Sequence, residues 1–86
     1  MTRLVQGEDE LTIYVVREGE GVLAESDYEF RVGPHVAWGS YDPQGYGALN
    51  HAPTLDDERI VGDYLDGLSA RELSAILRRV RRGEKR

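Results

Sequence analysis

Leu11, Ile13 and Val15 alternate with Thr12, Tyr14 and Val16, and a period of two in β-branched and aromatic residues predicts a strand over about 11–17. Glu18-Gly19-Glu20-Gly21 follows. Its glycines can take positive φ, so a hairpin is expected here, with a second strand beginning at Val22. The apolar pattern breaks at Glu25-Ser26-Asp27 and resumes as Tyr28, Phe30 and Val32 against Glu29 and Arg31. This predicts either a third strand or a bulged continuation of the second. Gly33-Pro34 should end it, because proline donates no ladder hydrogen bond and restricts the residue before it. His35-Val36-Ala37-Trp38 is expected as a further short strand.

Residues 39–53 hold Gly39, Gly45, Gly47, Pro43 and Pro53 with Tyr41 and Tyr46 interspersed, which predicts a glycine-rich loop, functional or mobile. Two helices should follow. Thr54 is a suitable N-cap, and Asp56, Asp57 and Glu58 suit the positive end of a helix dipole. Val61, Tyr64, Leu65 and Leu68 fall on one apolar stripe of a helix over about 55–66 that Gly67 should close. Ser69 and Glu72 have capping-box spacing, so a second helix is expected over about 70–82, with Leu73, Ile76, Leu77 and Val80 inward. Arg71, Arg78 and Arg82 then lie opposite that stripe, with Arg79 and Arg81 on its flanks.

Strands followed by consecutive helices favour an α+β fold. We expect a small antiparallel sheet of three to four strands over about 11–38, then the loop, then a helix pair covering one sheet face. The 86 residues form one expected domain, with a strand-rich acidic part over about 8–38. At this size only about 60–65% of the unfolded chain's surface can be buried, so stability should be marginal. With no cysteine, no disulfide, thiolate metal cluster or thiol nucleophile can form. No apolar run approaches the roughly 20 residues of a membrane span, and no hydrophobic signal segment opens the chain, so a cytoplasmic protein is expected.

The net charge of −5 is unevenly divided. Residues 1–67 carry fourteen acids and four arginines, whereas residues 68–86 carry seven bases and two acids. One part should repel phosphate and the other attract it.

Candidate chemistry is sparse. His35, Asp42 and His51 are the plausible metal ligands and, with Tyr41 and Tyr46, the plausible acid/base groups. Two histidines sixteen positions apart match no compact ligand spacing, so no metal and no cofactor is expected. Ser26, Ser40, Ser69 and Ser74 lie in no nucleophile-elbow context, and the glycines fit neither dinucleotide nor phosphate-loop spacing. The run Gly67-Leu68-Ser69-Ala70-Arg71-Glu72-Leu73-Ser74-Ala75-Ile76-Leu77 resembles the first part of helix-turn-helix regulators, a family whose next element is a turn and a recognition helix. Here Arg78-Arg79-Val80-Arg81-Arg82 continues the same helix instead.

These features point to a small non-enzymatic interaction module, an inhibitor or antitoxin-like accessory regulator acting through an acidic and aromatic surface. Its expected contacts to a protein partner are Tyr41, Tyr46, Glu18, Glu20 and Glu25, with Glu8, Asp9, Glu10, Asp27 and Glu29 adding to the acidic rim. Trp38 is expected in the core. The alternative is a nucleic-acid-associated regulator using Arg78, Arg79, Arg81 and Arg82. A homodimer is compatible with either reading.

Overall fold

A computed structural model describes the backbone of residues 2–6 and 9–82 and the side chains of residues 11–82. Glu8 and the side chains of Asp9 and Glu10 therefore lie outside the described residues. The fold is α+β, an antiparallel sheet followed by two helices packed on one of its faces. The strands are β1 (Thr2–Gln6), β2 (Asp9–Arg17), β3 (Ser26–Val32), β4 (His35–Tyr41) and β5 (Gly47–His51), and they lie side by side in chain order. Helices α1 (Leu55–Asp66) and α2 (Ala70–Arg81) complete the chain.

The two-residue alternation decides which face each side chain meets. Leu11, Ile13, Tyr28, Phe30, Val32, Ala37 and Tyr41 point toward the helices and are buried, and they meet Val61 and Leu65 of α1 and Leu73, Ile76, Leu77 and Val80 of α2. Both helices start where their caps require. The Thr54 hydroxyl accepts from the Asp57 N–H at 3.1 Å. Ser69 and Glu72 form the reciprocal capping box at 3.0 Å each way. Gly67 closes α1 as expected, but in a right-handed conformation, its N–H donating to the carbonyls of Asp63 and Tyr64 at 3.2 Å.

Within the expected α+β architecture the sheet has five strands rather than three to four and extends beyond 11–38, β1 preceding the expected strands, and two further stretches differ. Val22-Leu23-Ala24 starts no strand: β3 begins only at Ser26, and residues 18–25 form a connection that turns at Val22 and Leu23, whose side chains stand in solvent. Residues 39–53 form not one loop but the end of β4, a five-residue turn and β5. The glycines that suggested a loop instead let two strands approach closely. A Cβ on Gly39 would lie 2.7 Å from the Ala48 carbonyl oxygen, and one on Gly47 would collide with the carbonyl of Ser40. The turn is built on Asp42, whose carboxylate accepts from the N–H groups of Gln44 at 2.8 Å and Tyr46 at 3.1 Å, while Gly45 takes φ +89°.

Candidate functional site

In an up-and-down antiparallel sheet, alternate turns share an end, so the β2–β3 connection and the β4–β5 turn emerge together, as the Ser26–Tyr41 pairing requires. α2 packs across that end. Near its start, buried Ser74 donates from Oγ to the Pro43 carbonyl at 2.6 Å, and Gly45 sits where a side chain would strike the Ala70 carbonyl. At its other end, an Arg81 guanidinium nitrogen lies 3.7 Å from a Glu18 carboxylate oxygen. Tyr46, the outer side of α2 and the 18–25 connection thus form one continuous surface.

Two grooves mark it. One, of about 410 Å³, runs between Gln44 and Tyr46 on the turn and Arg71, Ala75 and Arg78 on α2. The second, of about 360 Å³, is lined by Glu18, Arg78, Arg81 and Arg82. Arg78 borders both. Arg71, Ala75, Arg78 and Arg82 follow the helical i, i+4, i+7, i+11 spacing, which puts them in one row. Neither Arg71 nor Arg78 has an ion-pair partner among the described residues.

The 18–25 connection is closed at its base. The Gly19 N–H donates to the buried Ser26 hydroxyl at 2.9 Å, Gly21 has φ +102°, and a Cβ on Gly19 would collide with the Glu25 carbonyl. The result is a shaped tip on which two consecutive aliphatic side chains, Val22 at 88% and Leu23 at 68% exposure, project between Glu20 and Glu25.

The structure therefore unites residues that the sequence assigned to different partners. Glu18 shares a groove with Arg78, Arg81 and Arg82, and Tyr46, 62% exposed, shares one with Arg78, while Glu20 and Glu25 lie on the same connection as Glu18. Arg79 is half-buried. Tyr41 does not belong to this surface. It is 6% exposed, edge-on to Phe30 with ring centroids 5.4 Å apart, and burial raises its phenol pKa. Its place in β4, two residues beyond Gly39, turns it inward with Ala37. Trp38, expected in the core, is on the opposite sheet face for the same reason: it has the other parity.

Val22 and Leu23 were missed because an apolar triplet after a glycine-rich turn reads as a strand. The signal that distinguishes them is the absence of alternation in Val22-Leu23-Ala24. The candidate metal ligands are dispersed: His35 bonds Asp57, Asp42 holds its turn, and the His51 ring sits tilted by 31° beside Trp38. Among the described residues, no three His, Asp or Glu side chains gather as a metal site, and no helix is long and apolar enough to cross a membrane. No protein family, curated protein or solved structure matches this chain.

Proposed function

We propose that this protein is a small non-enzymatic interaction module that engages a protein partner through the end formed by the 18–25 connection, the turn at Tyr46 and the outer side of α2. The observation that carries this reading is the exposed Val22-Leu23 pair at the turn of a connection whose base is closed by the Gly19–Ser26 bond. A single exposed aliphatic residue is ordinary, but two adjacent ones at the turn of a projecting connection form an apolar anchor. Burying each in a partner's pocket would contribute about 1.5–3 kcal/mol before ordering costs. Glu20 and Glu25 flank the anchor and would favour a pocket with a basic rim, while Arg78 and Arg82 offer contacts to acidic groups beyond it. Inhibitors and antitoxin-like regulators are the activities that such a plug-like projection suits.

The exposed row of Arg71, Arg78 and Arg82 favours the second reading, nucleic-acid backbone binding. Glu18 lines the same groove as Arg78 and Arg82, which weakens its attraction for phosphate.

Affinity capture from nuclease-treated host extract separates the two. The wild type should retain a protein that Val22→Ser/Leu23→Ser loses, with circular dichroism unchanged. Recovery of the same proteins by both forms, or salt-sensitive nucleic-acid binding abolished by Arg78→Gln/Arg82→Gln, would overturn the proposal.

A further inference from the structure

The sheet face away from the helices carries a second constellation, independent of the end surface. Two rows cross the strands there. In one, register places Tyr14, Glu29, Trp38 and His51 opposite one another on β2, β3, β4 and β5. The Trp38 indole N–H donates to Glu29 Oε1 at 3.0 Å, Arg31 binds the other carboxylate oxygen at 2.7 Å, and the His51 ring lies 5.2 Å from the indole. In the neighbouring row, Arg17 donates to Asp27 Oδ2 at 2.8 Å, Ser40 donates to Asp27 Oδ1 at 2.5 Å, and the Asn50 amide donates to Ser40 at 3.2 Å. Between the rows runs a groove of about 320 Å³. Trp38 and His51 supply aromatic lining, and Val16, at the bulge in β2, is 61% exposed beside it. Asp27 and Asn50 supply the polar lining.

We propose that this groove is a binding site for a neutral saccharide, with a pyranose ring stacked on Trp38 and its hydroxyl groups bonded to Asp27 and Asn50. The indole face attracts the polarised C–H bonds of a sugar ring. A hydroxyl both donates and accepts, so it needs a wall offering both. Asp27 retains acceptor capacity beyond its two bonds, and Asn50 retains its carbonyl oxygen and a second N–H. The wall is held in place before any ligand arrives, because Ser40 and Arg17 both bond the Asp27 carboxylate, the Ser40 bond first and then the Arg17 bond lowering its pKa. Charge selects the ligand class. Asp27, the one carboxylate lining the groove, is already paired with Arg17, and Glu29 beside it with Arg31, so the groove offers no unpaired carboxylate to an ammonium group and no arginine to a phosphate or carboxylate.

Trp38 is the only tryptophan of the chain, so its fluorescence reports this groove alone. The test is a titration of the full-length protein with neutral trisaccharides of gluco, galacto, manno and N-acetylglucosamine type, with adenosine and a lysine-rich peptide as competing chemistries. At least one saccharide should produce a saturable change in Trp38 emission, and amide NMR shifts should cluster at residues 27, 38, 40 and 50. Asn50→Ala, which keeps the indole, should weaken that saccharide about tenfold by NMR, as loss of a bonded amide does. A flat response to every saccharide, an affinity unchanged in Asn50→Ala, or saturation by the nucleoside or the peptide alone would overturn the assignment.

Discussion

His35 Nδ1 lies 2.9 Å from Asp57 Oδ1, tying the first residue of β4 to the first turn of α1. The same carboxylate accepts from the Thr54 hydroxyl at 2.9 Å, so the N-cap of α1 and the sheet share one acid. The hydrogen bond from His35, then that from Thr54, holds the Asp57 pKa below its ordinary value. A depressed carboxylate contributes stability that is fully present above about pH 4 and is lost as pH falls through the lowered folded value. Asp57→Asn should therefore be less stable than the wild type at neutral pH and should lose less melting temperature on acidification below pH 4. Parallel loss in the two proteins, followed by thermal melts, would contradict this role.

Leu77 is 1% exposed in the cluster joining α2 to the sheet. Leu77→Ala should cost about 2–5 kcal/mol by denaturant unfolding, through lost transfer energy and a residual cavity. An unchanged midpoint would mean that α2 does not cover the sheet.

Gly45 and Gly33 both have positive φ, at +89° and +58°, but only Gly45 is crowded. A Cβ there would strike the backbone of α2 at Ala70, whereas nothing lies within 4 Å of a Cβ on Gly33. Gly33→Ala should cost about 1–2 kcal/mol from left-handed backbone strain, and Gly45→Ala distinctly more, because the turn must separate from α2. Equal losses would place the turn away from the helix.

The helices were legible because each carries both its cap and its apolar stripe within a dozen residues, as Ser69, Glu72, Leu73 and Leu77 illustrate. β5 was not legible. Gly47-Ala48-Leu49-Asn50-His51 has weak strand propensity, and pairing with β4, a contact between segments, overrides it. The faces of Trp38 and Tyr41 depend on the register of β4, which the glycine at 39 obscured by breaking the apolar alternation. The end surface was readable only as fragments. Glu18 and Arg81 are distant in sequence and meet because α2 packs across the end of the sheet.

Site-specific photo-crosslinking in the native host tests most directly whether the 18–25 tip is the partner-binding element. A photoreactive residue at Leu23 would be compared with one at Leu55, an 83% exposed leucine at the start of α1, remote in sequence from the tip. The account predicts a discrete protein adduct from position 23, suppressed by Val22→Ser, and none from position 55. Equal adducts from both positions, or nucleic-acid adducts at position 23, would contradict it.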